Sequence, residues 1–244
     1  MLVNVDAKQL EWVVAVYLSQ DKVGIQEILT GVDIHGINQT RFSLPTRTAA
    51  KVLIFRTLYG GSGYSFATDP EYSHIGGESW WDEAIAKFYA KYQGIYTWHE
   101  GLLERVVRND GRLALPTGRE YQFTPQVRRG EQSYPRTKVL NYPVQGLAAD
   151  LMAIARVSLY KRVKAAGWPV LFVNTIHDSI VMDMPLDTFN TICYNSSGEL
   201  IKMVQDVFKD IPANFERLFG VAFNLPLKAE ITYGPDLGHM TEIL

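Results

Sequence analysis

Two aspartates and one helical ridge are where this sequence could do chemistry. Asp6 ends the short apolar run LVNVDA, and Asp178 falls between two apolar runs in LFVNTIHDSIVMDM. Taken singly, each is more often a cap or a turn residue. On neighbouring strands they would form a hard-oxygen site suited to Mg²⁺, and two such ions about 3.5–4 Å apart stabilise the attacking and leaving oxygens of a phosphoryl transfer. The ridge is RTAAKVLIFRTLYGG, residues 47–61, in which Arg47, Lys51, Phe55 and Tyr59 recur at every fourth position before Gly60 and Gly61. Each step of four overshoots a full helical turn by about 40°, so the four side chains form one slowly winding edge. Two cations toward the helix N-terminus suit a polyphosphate, since the helix dipole also favours anions there. A flat ring one turn on suits a base or sugar. The same pattern also describes a helix with a snorkelling cationic edge and two core aromatics.

Something must place those residues. LVNVDA reads as a short strand, followed by a helix on Leu10, Val13, Val14, Tyr17 and Leu18, spaced i, i+3, i+4, i+7, i+8. Thr46 after Pro45 starts the ridge helix and the glycine pair stops it. Ser79 to Asp82 has capping-box spacing and predicts a helix running to about Tyr92. A further helix is expected over 95–109, then a hairpin turning at Thr117 and Gly118, then a long helix from about Leu147 to Ala166 with Gly167 as its stop. The runs around His177 and Asp178 predict a tight hairpin with those two residues at the tip. A helix near 187–209 and a last strand in LPLKAEITY close the chain. Strands at both ends around a helical block predict an α+β fold, with a small antiparallel sheet carrying helices on one face and a helical insertion.

Composition fits a folded chain with a proper core. The chain has 244 residues, 47% hydrophobic and 20% charged, and one cysteine, Cys193, which cannot form a disulfide within the chain. A reducing, cytoplasmic setting is expected, and the N-terminal residues do not read as a signal peptide. The net charge is -2, yet residues 41–60 carry +4 and residues 101–140 carry +4, leaving -10 for the rest. Basic patches on an acidic background fit a face for polyanions as well as ordinary solvated surface.

The constellation resembles the family A DNA polymerases, the bacterial DNA polymerase I type, and somewhat more its bacteriophage branch. Four segments carry the resemblance in the family's order. They are D-x-x-Q-x-E at Asp6, Gln9 and Glu11, the helix R-x3-K-x3-F-x3-YG at Arg47, Lys51, Phe55 and Tyr59, NYPVQGLAADLM over residues 141–152, and the HD turn in TIHDS. The resemblance implies a palm over 1–24, fingers with a connecting hairpin over 25–138, and the rest of the palm over 139–244. It implies that Asp6 and Asp178 hold two Mg²⁺ ions. Arg47 and Lys51 would bind the incoming triphosphate, with Lys51 also able to protonate the leaving pyrophosphate. Phe55 would pack on the nucleotide, Tyr59 would stand where the template base waits, and Gln9 would belong to the same nucleotide site. Glu11 would crowd the sugar C2′ position and exclude ribonucleotides. Arg119, Asn141, Gln145 and His177 would lie along the primer–template DNA. Gln145 makes physical sense there, because minor-groove acceptors are nearly alike for A·T and T·A pairs and an amide can check geometry without reading sequence.

Four positions depart from the family pattern: Val13 for arginine, Arg56 for glycine, Ser179 for an acid, and Leu237 for tryptophan. The long region that precedes the first aspartate in the family lies outside this sequence. The expected partners are therefore primer–template DNA, deoxynucleoside triphosphates and a separate upstream half carrying the thumb, in the cytoplasm of a bacterium or a phage-infected cell. Two other readings are a fragment of a single-subunit, phage-type RNA polymerase and a non-catalytic DNA-binding remnant. Glu11 and Phe55 oppose the first, since a ribonucleotide enzyme must leave room at the 2′ position.

Overall fold

A computed structural model describes residues 1–128, 131–195 and 198–243. In chain order the elements begin with strand β1 (Leu2–Ala7) and helices α1 (Leu10–Ser19), α2 (Lys22–Thr30), α3 (Ile34–Arg41), α4 (Arg47–Leu58), α5 (Gly63–Ala67), α6 (Glu78–Lys91) and α7 (Gln93–Arg108). Strands β2 (Arg112–Ala114), β3 (Glu120–Gln122), β4 (Gln126–Arg128) and β5 (Glu131–Ser133) follow, then the long helix α8 (Arg136–Ala165). The chain closes with β6 (Leu171–Ile176), β7 (Ser179–Asp183), α9 (Leu186–Phe189), α10 (Glu199–Lys209), α11 (Ile211–Phe219), β8 (Ala229–Gly234) and β9 (Thr241–Glu242). These elements form two compact units, one of residues 1–13 with 147–244, the other of residues 14–146.

The first unit is built on a five-stranded antiparallel sheet in the order β6-β7-β1-β8-β9. β1 is central, and its alternation explains why. Val3, Val5 and Ala7 are buried, while Leu2, Asn4 and Asp6 are only partly covered, the period-two pattern of a strand with one face on the core. The Tyr160 ring of α8 meets the Phe172 ring of β6 edge-on at 5.5 Å, and Phe189 lies 4.9 Å from Tyr233 of β8. α10 buries Leu200, Val204, Val207 and Phe208 along one stripe.

The second unit is mostly helical, as expected. Trp81 stacks on Phe66 at 4.3 Å, and Phe88 lies against Phe42 and Tyr92. A second apolar cluster joins Leu102, Val106, Leu113, Phe123, Val139 and Leu140. The buried Asp21 carboxylate caps two helices at once, accepting the N–H of Gly24 at 2.8 Å and of Gly94 at 2.7 Å.

Several boundaries differ from the sequence expectation. α8 begins at Arg136 rather than near Leu147 and contains Pro143. That proline removes one N–H from the ladder, but Val139, Leu140, Val144 and Leu147 around it are fully buried, and their packing outweighs the lost bond. The capping box at Ser79 does not form. α6 starts from Gly77, and the Asp82 carboxylate instead accepts the N–H of Gly63 at 2.8 Å. The helix expected near 187–209 is α9, a π-type turn over Asn190–Asn195, then α10; its positions 196 and 197 lie outside the described residues. The strand expected in LPLKAEITY is β8, which begins later, at Ala229, and it is not the last, since β9 follows it.

Candidate active site

The two aspartates come together through register. β1 runs antiparallel to β7 with Asp6 opposite Ser179, the residue after Asp178. The Ala7 N–H donates to the Asp178 carbonyl at 2.9 Å, extending the ladder by one bond into the turn. His177 and Asp178 are the two residues linking β6 to β7, and His177 takes the left-handed conformation at φ 52°. Ser179 is nearly buried, and its hydroxyl donates to the Ile176 carbonyl at 3.0 Å across that turn. Ser179 therefore braces the turn. Asp178 is half-buried, and among the described residues no ion pair engages it.

Gln9 also sits at positive φ, 54°, in the bend between β1 and α1. The bend ends the strand just past Asp6 and puts Glu11 in the first turn of α1, where the helix dipole favours a carboxylate. One acid escaped the sequence reading. Glu230 of β8 stands directly across β1 from Asp6 and pairs with Lys8 at 2.7 Å. Its only sequence signal was an acid inside the apolar run of a strand. Asp6 and Asp178 together supply hard oxygens of the kind Mg²⁺ takes, so the residues present fit the ion. Among the described residues, no group of three or more His, Cys, Asp or Glu side chains gathers as a metal site.

The ridge lies in the helical unit. The Thr46 hydroxyl accepts the Ala49 N–H at 3.0 Å, so α4 starts where the sequence placed it. Arg47 and Lys51 are exposed, and Phe55 and Tyr59 are half-buried. Arg47 forms a two-point ion pair with Asp33, Nε to Oδ2 and Nη2 to Oδ1, both at 2.9 Å. The Phe55 ring centroid lies 6.1 Å from that of His35. His35 is almost fully buried and its Nδ1 has no hydrogen-bond partner. Burial, then the Arg47 charge, pushes its imidazole down to about 4, so the ring beside Phe55 is neutral at pH 7. Asp33 and His35 were not singled out from sequence, because their partners are ridge residues more than ten positions away.

At the far end of the ridge, the Gln145 amide donates to the Tyr59 hydroxyl at 3.0 Å. Arg119 reaches the same place, since a Cβ on Gly146 would lie 3.0 Å from its Cδ and would overlap the Tyr121 hydroxyl. Asn141 precedes Gln145 by one turn of α8, on the same face. The sequence-selected residues thus fall into two groups. Asp6, Asp178, His177, Gln9 and Glu11 belong to the sheet unit, and Arg47, Lys51, Phe55, Tyr59, Arg119, Asn141 and Gln145 to the helical unit.

The profile of DNA polymerase family A matches residues 1–239. The chain belongs to this family. Among its relatives is the thermostable DNA polymerase I of Thermus thermophilus, 30% identical over 201 residues that cover 77% of this chain and 23% of that protein. The DNA polymerase I of Caldicellulosiruptor bescii is 24% identical over 243 residues, covering 96% of this chain and 26% of the relative. The fold is similar to that of the POL domain of Pol1 from M. smegmatis, solved in complex with DNA primer-template and dNTP. The TM-score is 0.77 at 22% identity, covering 96% of this chain and 39% of that one. The chain therefore spans about a quarter of the length of the curated relatives it matches.

Arg56 has a clear structural task in this family A chain. Its guanidinium pairs with Asp69, donates to the Ser65 carbonyl at 3.2 Å, and lies 4.9 Å from the Phe66 ring centre and 5.0 Å from that of Tyr72. It ties α4 to α5 and to the segment after it. Arg56→Ala should lower the melting temperature by roughly 2–8 °C, from about 1–2 kcal/mol of cation–π contact. Differential scanning calorimetry checks this, and an unchanged transition would show the clamp to be ornamental.

Proposed function

We propose that this chain is the catalytic C-terminal portion of a template-directed DNA polymerase that joins deoxynucleotides to a primer by two-metal nucleotidyl transfer. The observation that carries the reading is the register that sets Asp6 across from the residue after Asp178. In this reading the sheet unit is the palm and the helical unit the fingers, with domain limits near 1–24, 25–138 and 139–244. Asp6 and Asp178 hold the Mg²⁺ ions. Ions held there would supply charge neutralisation for the phosphoryl group and the leaving oxygen.

The chain's own residues do the rest. Arg47 and Lys51 grip the triphosphate, and Lys51 gives a proton to the departing pyrophosphate. Phe55, held beside the neutral His35, presents a flat, dry face to the sugar and base. Glu11, with Gln9 beside it, occupies the space a 2′-hydroxyl would need. Gln145, Asn141, Arg119 and His177 contact the primer–template, and Tyr59, bonded to Gln145, stands where the template base waits.

We further propose a separate upstream polypeptide as partner, in the cytoplasm of a bacterial or phage-infected cell. No helix among the described residues is long and apolar enough to cross a membrane. The edge strand β6 supports a protein partner, because Leu171 is 66% and Val173 51% exposed on it. Such an edge is a ready template for another strand.

Primer extension by the purified chain, alone and with the separately expressed upstream region of a relative, tests both points. Alone it should bind primed DNA weakly and with steep salt dependence and extend it poorly; the pair should extend it well. Processive synthesis by the chain alone would remove the need for a partner, and silence of the pair would remove the activity.

A further inference from the structure

The ion pair between Asp33 and Arg47 carries more geometry than stability. Asp33 is the N-cap of α3. Its Oδ1 accepts the His35 N–H at 3.2 Å and the Arg47 Nη2–H at 2.9 Å, while Oδ2 accepts the Arg47 Nε–H at 2.9 Å. The carboxylate is packed so closely against α3 that a Cβ on Gly36 would fall 2.7 Å from Oδ2. The hydrogen bond from Arg47 holds the Asp33 carboxyl down to about 2, with the backbone N–H groups of Gly36 and His35 adding to it, so it stays ionised throughout the neutral range. Arg47 and Asp33 are 57% and 50% exposed, and exposed pairs contribute little to folding.

A guanidinium has five N–H donors in a rigid fork. Asp33 takes two, along the Nε and Nη2 edge, and three remain. The cap is fixed by helix backbone, so the fork it holds is fixed too. We infer that Asp33 is a positioning residue for Arg47, anchoring its guanidinium to the start of α3 so that the three remaining donors meet a nucleotide's polyphosphate already ordered. This rests on the reading of Arg47 as a triphosphate ligand. A carboxylate that merely shielded Arg47 would have the opposite effect, since its removal would strengthen anion binding.

Isothermal titration of the full chain with Mg²⁺-dATP and with inorganic tripolyphosphate separates the two. Asp33→Ser keeps a good N-cap but loses the two-point acceptor, and Asp33→Asn keeps the shape with one acceptor oxygen. Both should bind each probe roughly twofold to tenfold more weakly, the cost of ordering one long side chain on binding rather than beforehand. In an Arg47→Ala background neither change should weaken binding further. Unchanged or tighter binding by Asp33→Ser and Asp33→Asn, or an equal loss in both backgrounds, overturns the inference. If Arg47→Ala itself binds tripolyphosphate as the parent does, the triphosphate reading of the ridge fails instead.

Discussion

Asp6→Ala and Asp178→Ala are each expected to abolish Mg²⁺-dependent primer extension by the chain combined with its upstream region. In the proposed reading either carboxylate contributes half of the hard-oxygen donor pair, and removing one would leave the transferring phosphoryl charge poorly neutralised. Metal clamping of that kind is worth several kcal/mol in the transition state, on the order of a hundredfold to ten-thousandfold in rate. The fold should survive. Asp6 lies on the partly covered side of β1, between Val5 and Ala7 whose side chains face the core, and Asp178 contributes its backbone carbonyl, not its side chain, to the bond from Ala7. Single-turnover extension across a Mg²⁺ titration, beside a thermal melt, reads both quantities. Near-normal extension by either variant would refute the pairing. A melt lowered by more than a few degrees would mean that the carboxylates hold the sheet together.

The same register shows why the neighbouring acid is a poor substitute. Glu230 shares the Asp6 position across β1, yet its carboxylate is committed to Lys8 at 2.7 Å. The Lys8 ammonium beside that carboxylate limits like-charge repulsion between Glu230 and Asp6. Ser179, next to Asp178, is uncharged and spends its hydroxyl on the Ile176 carbonyl.

What could be read from sequence followed the range of the interaction. The tip at His177 and Asp178 was legible because the polar run His177, Asp178 and Ser179 interrupts two apolar stretches, and the start of α4 because Thr46 bonds only three residues ahead, to Ala49. α8 was started too late, near Leu147, although it begins at Arg136 and runs through Pro143, a residue that locally favours a break. Its cost is overcome by buried neighbours such as Val139 and Leu140, which pack against Leu102 and Phe123, contacts no local pattern reveals. Asp82 was misread for the related reason that its partner, the Gly63 N–H, lies nineteen residues back. The hairpin of β4 and β5 gave no signal, being two short strands of mostly polar residues. Around the ridge, spacing identified Arg47, Lys51, Phe55 and Tyr59, but not the groups that hold them. Asp33, His35 and Gln145 reach the ridge from other helices. Gln145 alone among these was singled out from sequence, and for its own motif, not for its bond to Tyr59.

Phe55→Tyr is expected to raise selectively the use of dideoxynucleotides. Phe55 is half-buried, with His35 behind it at a ring separation of 6.1 Å, so the ring is anchored on the protein side and its remaining face is what a nucleotide would meet. A phenyl ring offers no hydrogen bond. The 3′-hydroxyl of a deoxynucleotide must then supply a polar contact to its own phosphates within the closed site, and a dideoxynucleotide lacks it. A phenol at position 55 would place a hydroxyl on the same ridge, one turn from Lys51, where it can replace the missing group. A hydrogen bond to a charged phosphate is worth roughly 1.5–3 kcal/mol, on the order of tenfold to a hundredfold in relative incorporation. The quantity to compare is the ratio of dideoxy to deoxy incorporation by the two proteins, each combined with the upstream region. The deoxynucleotide rate should change little, since that substrate already carries its own hydroxyl. An unchanged ratio would place Phe55 away from the nucleotide sugar and return this edge of α4 to the alternative its spacing also allows, a cationic rim over core aromatics.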